Sequence, residues 1–120
     1  VLVNLLPLTP DTENILNRDT LAQLRPGAYV INVARGAHLV DADLLALLDS
    51  GHLAGATLDV FRTEPLPAEH PFWQHRCITV TPHTSARTLR DESVAQIAGK
   101  IRALERGEPI TGVVDPLRGY

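Results

Sequence analysis

The sequence predicts an α/β fold in which a parallel sheet carries helices on its faces, and three observations carry the prediction. Short apolar, strand-like runs occupy residues 1–6, 28–34, 53–60 and 77–81. The first two are each followed by a turn and a helical pattern, and links of these lengths leave no arrangement but crossovers between parallel strands. The opening run, VLVNLLP, is apolar without alternation, as in a buried parallel strand with neighbours on both sides.

Each element has a local cause. Pro7 and the turn-forming LTPDTEN close the first strand, and Asn17 caps a short helix over RDTLAQL that the Pro26-Gly27 pair ends. Residues 28–34 form the second strand. Asp41 is positioned as the N-cap of a second helix whose Leu44, Leu45 and Leu48 share a face, and Gly51 is its stop. The third strand, residues 53–60, runs into FRTEPLPAEHPFWQ, which is too rich in proline for a helix or a central strand and is expected to be an ordered loop. Residues 77–81 make the fourth strand. After HTSARTLRDES, the apolar residues Val94, Ile97, Ala98, Ile101 and Leu104 line one side of a long helix ended by Gly107 and Pro109, and an extended tail follows.

Composition narrows the function classes. A chain of 120 residues with 44% apolar and 21% charged residues supports one compact core, and it shows neither an internal repeat nor a low-complexity segment. The net charge of -3 and the lack of a basic block argue against nucleic acid as a partner. No run approaches the roughly 20 apolar residues of a membrane span, and no signal segment opens the chain, so the expected address is cytoplasmic. Cys77 is the single cysteine and reads as a small core residue. The chain starts without Met, inside an apolar run, and is therefore expected to be a piece of a longer protein.

Three polar residues stand just past strand ends on what should be one edge of the sheet, where open α/β folds bind ligands: Arg35, Glu64 and His83. Together they suffice for carbonyl reduction. The Arg35 fork can hold a carboxylate through two bonds and polarise an adjacent carbonyl, while His83 can protonate the oxygen. Glu64 would orient His83 and favour its charged form. Each also has a plainer reading: a surface arginine on a βα turn, a solvated loop charge, a helix cap. His70, His75 and Cys77 match no common zinc spacing, so no metal is expected. His38 and His52 read as surface residues, and Trp73 with Phe72 reads as cover for the sheet edge.

Four segments, in order, resemble the D-isomer-specific 2-hydroxyacid dehydrogenases: NLLPLTPDTENILN, GAYVINVARGAHLVDADLLALLDSG, GATLDVFRTEPLPAEHPFW and TPHTSA. The PFWQH segment and the tail VDPLRGY resemble most the glyoxylate/hydroxypyruvate reductase A branch of that family. The resemblance implies that Arg35 binds the substrate carboxylate and carbonyl, that His83 is the acid/base and that Glu64 pairs with it. It further implies that Asp59 helps hold the nicotinamide carboxamide, and that Leu6, Pro7, Ala34, Arg35, His83, Thr84 and Ser85 line the cofactor. For Asp59, the residues alone also allow a plainer reading, a strand-end carboxylate capping a turn. The implied cofactor is NAD(P)H, with NADP favoured by the resemblance, the implied partner is a small 2-keto or 2-hydroxy acid, and the implied assembly is a homodimer of full-length chains.

The family's glycine-rich G-x-G-x-x-G turn is absent, as is the substrate domain that precedes it. The chain thus resembles the second half of a doubly wound parallel (Rossmann) sheet, residues 1–86, with a crossover helix and extended tail, residues 87–120, that return to the absent domain. Such a fragment is expected to be inactive alone and poorly soluble. A second reading is a dinucleotide-sensing, corepressor-like interaction module of the same superfamily. A formate dehydrogenase-like reading is disfavoured by Glu64, because that branch is expected to carry Gln there.

Overall fold

The computed structural model describes residues 1–117 and divides the chain into two compact units, Val1–Ser85 and Ala86–Tyr120. The first unit is built on four strands, β1 (Leu2–Asn4), β2 (Ala28–Asn32), β3 (Leu53–Leu58) and β4 (Ile78–Val80), in the order β1-β2-β3-β4 with all neighbours parallel. The α/β fold with a parallel sheet is as the sequence predicts. Register pairs Asn4 with Asn32, Asn32 with Leu58 and Leu58 with Val80, so the last residues of all four strands form one row across the sheet. The loops that leave this row share one edge.

The strands are shorter than their apolar runs. Just past the row the Asp59 and Thr81 amides still bond Asn32 O and Leu58 O at 3.0 Å each, whereas the Ala34 amide leaves the ladder and donates to Asn32 Oδ1 at 3.2 Å. The predicted first helix contracts to a single turn, α1 (Arg18–Leu21), held by a capping box in which Asn17 and Thr20 bond each other's backbone amides. In α2 (Asp41–Asp49) the cap position belongs to Val40, and Asp41 is the first helical residue rather than the N-cap. Its buried face is Leu44, Leu47 and Leu48, whereas Leu45 is only partly buried. That is the i, i+3, i+4 set a helix presents to one side, and Leu47 takes the place on it that the sequence pattern assigns to Leu45.

Leu44, Leu48, Leu21 and Leu39 pack with Val30, Ala56, Leu58 and Phe72 into the core of this unit. Each fully buried leucine contributes roughly 1.5–3 kcal/mol relative to exposure. His38, expected at the surface, is fully buried. Phe72 is likewise in the core, while Trp73 is half exposed, so the two do not act together as an edge cover.

In the second unit, α3 (Arg90–Glu105) ends in a left-handed Gly107 at φ 70°, with Glu108 N–H bonded to Ala103 O and Gly107 N–H to Leu104 O. These two bonds satisfy carbonyls that the helix end leaves open. None of its described residues is buried. The expected extended tail is described to Leu117 and has no regular secondary structure; its last three residues lie outside the described set. Among the described residues, no helix is long and apolar enough to cross a membrane.

Candidate active site

Arg35 follows β2 in extended backbone, φ -142° and ψ 145°, at the entry to a 3-10 turn over Gly36–His38. Its Nη1 donates to Ala34 O at 2.7 Å, and no other bond of its guanidinium is made among the described residues. The exposed fork is therefore open to a ligand. Gly36 is required by packing: a Cβ there would lie 1.9 Å from the Phe61 carbonyl carbon and 2.3 Å from the Arg62 nitrogen. The Arg35 turn thus lies directly against the backbone that leads to Glu64.

Arg62 fastens this contact. Its guanidinium donates to Ala37 O at 3.0 Å, to Leu39 O at 3.2 Å and to Asn14 Oδ1, and it pairs with Glu13 at 3.3 Å. One residue earlier, the Phe61 amide donates to Glu64 Oε1 at 2.9 Å, which aims the carboxylate. Its other oxygen, Oε2, stands 2.8 Å from His83 Nδ1. The His83 hydrogen bond, then the Phe61 amide, hold the Glu64 carboxyl below its ordinary value against the effect of burial, and the charges of His83 and Arg35 add to this. An ionised carboxylate only accepts, so Nδ1 carries a proton and Nε2 is left for proton exchange.

His83 itself sits at φ 54°, in the left-handed region that side chains disfavour. Residues on both sides of it hold it there. Asp59, 1% exposed at the end of the third strand's run, accepts from the Thr81 hydroxyl, from the Thr84 amide at 2.9 Å and from the Ser85 amide at 2.9 Å. Burial raises the Asp59 carboxyl, but the Ser85 and Thr81 hydroxyls and the two amides outweigh it and leave it well below the carboxylate range. In this structure Asp59 caps the turn that carries His83.

A cleft of about 500 Å³ opens beside Glu64 and His83, with apolar walls from Phe61, Leu66, Trp73 and Val80. Trp73 is anchored by its Nε1–H, which donates to Pro67 O at 2.9 Å. Leu6, Pro7, Thr84 and Ser85 are exposed and Ala34 is buried, all on the loops that leave the row of strand ends. Among the described residues no cluster of His, Cys, Asp and Glu is arranged to hold a metal ion.

Sequence reasoning missed a buried polar cluster behind these loops, formed by Asn4, Asn32 and His38. Asn4 Nδ2 lies 3.0 Å from Asn32 Oδ1 and 2.9 Å from His38 Nδ1, and His38 Nε2 lies 3.2 Å from Pro7 O. The available signal was an asparagine closing each of two apolar runs, VLVN and VIN. A polar side chain in a covered strand needs a buried partner.

The donor set fits the nicotinamide end of a dinucleotide. It offers a cation, an imidazole paired with a carboxylate, and loop backbone at one sheet edge. No glycine-rich turn able to grip a pyrophosphate occurs in the chain.

Known proteins match this chain throughout. The family model described as D-isomer specific 2-hydroxyacid dehydrogenase, NAD binding domain, matches residues 1–85. Glyoxylate/hydroxypyruvate reductase A of Serratia proteamaculans is 59% identical over all 120 residues, and that of Photorhabdus laumondii 56%. The chain spans 38% of the length of each of these relatives. Among solved structures, a D-isomer specific 2-hydroxyacid dehydrogenase from Xanthobacter autotrophicus Py2 in complex with NADPH and MES superposes with TM-score 0.94 at 48% identity, covering 98% of this chain and 49% of the other. The NADPH-dependent glyoxylate/hydroxypyruvate reductase from Sinorhizobium meliloti, in complex with NADP and sulfate, gives 0.92 at 44% identity, covering 98% and 39%. By the match over residues 1–85 and the parallel sheet that carries it, the chain belongs to the D-isomer specific 2-hydroxyacid dehydrogenase family and contains part of its NAD binding domain.

Proposed function

We propose that this chain is the catalytic part of the nucleotide-binding domain of a reductase that converts a 2-keto acid such as glyoxylate or hydroxypyruvate to its 2-hydroxy acid. The observation that carries the reading is the 2.8 Å His83–Glu64 pair, with Arg35 near enough for its charge to act on Glu64. Arg35 binds the substrate carboxylate through its open fork and polarises the neighbouring carbonyl. His83 gives a proton from Nε2 to the carbonyl oxygen, and Glu64 orients the ring and stabilises the charged imidazole. When bound, the reduced nicotinamide cofactor supplies the hydride.

Leu6, Pro7, Ala34, Arg35, His83, Thr84 and Ser85 would line that cofactor, with Asp59 behind the last two. NADP is the favoured form, in keeping with the ligands of the Xanthobacter and Sinorhizobium structures. In the full-length protein, residues 1–86 complete the nucleotide-binding sheet and residues 87–120 cross back to the substrate domain. The working assembly is a cytoplasmic homodimer with no membrane partner, and the acidic net charge supports the absence of a nucleic acid partner.

The test is NADPH and NADH oxidation by the full-length protein against a panel of 2-keto acids. His83→Gln is expected to lower kcat by about 10²–10⁴-fold, the range of general acid catalysis. Arg35→Ala should lower kcat and raise KM together. Unchanged kinetics in both variants would remove the catalytic assignment, and cofactor binding without reduction of any 2-keto acid would favour a dinucleotide-sensing role.

A further inference from the structure

We propose that His38, held as the neutral Nε2–H tautomer, is a positioning residue that locks the Leu6-Pro7 segment to the Arg35 turn and thereby sets affinity for the nicotinamide cofactor. The proposal rests on the functional reading above for the role of those two loops; the tautomer and the lock follow from hydrogen-bond direction alone.

The backbone decides each orientation. The Leu6 amide donates to Asn4 Oδ1 at 3.2 Å, so the other end of that side chain, Nδ2, is the donor toward Asn32 Oδ1 and His38 Nδ1. His38 Nδ1 must then be a bare acceptor. The Pro7 carbonyl can only accept, so the ring proton is on Nε2. Asn32 is fixed in the same way, with the Ala34 amide donating to its Oδ1 at 3.2 Å and its Nδ2 donating to Arg35 O at 3.1 Å.

Three buried side chains therefore hold backbone atoms of Leu6, Pro7, Ala34 and Arg35, the residues assigned to one wall of the site. Asn4 and Asn32 tie Leu6 to the turn after β2, and His38 adds the tie from that turn to Pro7. With an apolar residue at 38, one Asn4 N–H would lose its partner inside the core, and the Pro7 carbonyl would keep only the Thr12 hydroxyl, which donates to it at 2.8 Å from the exposed side.

Two variants of the full-length protein separate positioning from bulk structure. In His38→Asn the amide oxygen can still accept from Asn4, but the side chain is too short to reach Pro7. In His38→Gln the amide nitrogen takes the place of Nε2 and can donate to Pro7. Direct fluorescence titration with NADPH and NADH, which needs no turnover, should show His38→Asn weakened about five- to tenfold, the loss of one hydrogen bond, and His38→Gln within about twofold of the parent. Imidazole ¹⁵N shifts of the parent should show a protonated Nε2 and a bare Nδ1.

Equal cofactor affinity in both variants, or a proton on Nδ1, would overturn the proposal. A lower melting temperature shared by both variants without a difference in affinity would assign His38 to the core alone and overturn it equally. A parent protein that binds cofactor but reduces no 2-keto acid would count against the catalytic reading and leave the lock standing, whereas one that binds neither cofactor would end both.

Discussion

Glu64 shows how a single carboxylate can serve both geometry and charge. One oxygen is held by the Phe61 amide and the other meets His83, so the side chain has little freedom to turn away. Its carboxyl is lowered from the ordinary 4.5 first by the His83 bond and then by the Phe61 amide. For an acid shifted down in the folded state, the stabilisation is complete above the ordinary value and is lost as pH falls through the lowered one. The pair should accordingly persist below pH 4.5. Carboxyl ¹³C titration is expected to give a Glu64 midpoint below 4.5 that moves back up in His83→Ala, and a midpoint indifferent to His83 would show the contact to be absent in solution. That Arg35, Glu64 and His83 lie near one sheet edge was legible in the sequence, because polar residues just past the ends of apolar runs are conspicuous. His38 was not, because a histidine's partner 34 positions away leaves no mark on its neighbours.

At the scale of elements, four strands ending in one row bring loops together that are distant in the chain. Apolar runs and turn residues were enough to read the strands and helices, since periodicity and punctuation are local properties. Their ends were less legible: Ala34 looks like strand but bonds to Asn32, and Asp41 looks like a cap but Val40 occupies that place. Nor does any pattern reveal that Gly36 touches Phe61. That contact sets the spacing between the Arg35 turn and the segment leading to Glu64, and it leaves no room for a methyl group. Gly36→Ala must push the two backbones apart. The expected cost is about 1–3 kcal/mol of stability, as for other overpacked sites, with a fall in kcat/KM toward 2-keto acids because Arg35 and Glu64 move relative to each other. Thermal melts and steady-state kinetics on the full-length variant would check both, and retention of parental values in both would refute the spacing role.

At the scale of the whole molecule, each of the two units leaves large apolar side chains exposed. β1 is an edge strand with one side paired to β2, and Val1, Val3 and Leu5 beside that edge are exposed. An edge of this kind is a template for pairing with another chain. In the second unit, Val94, Ile97, Ile101 and Leu104 recur at helical spacing along α3, and each is more than half exposed. Clustered apolar side chains of this kind mark surfaces that associate, unlike apolar residues scattered singly. The chain prepared by itself should therefore associate, with a mass by light scattering that rises with concentration. Val3→Lys together with Ile97→Glu should shift it toward monomer, because charge on an edge strand and on an apolar helix face opposes both modes of contact. A monodisperse monomer for the unmodified chain at about 100 μM, the upper part of the range in which exposed edges aggregate, would show that neither surface drives association.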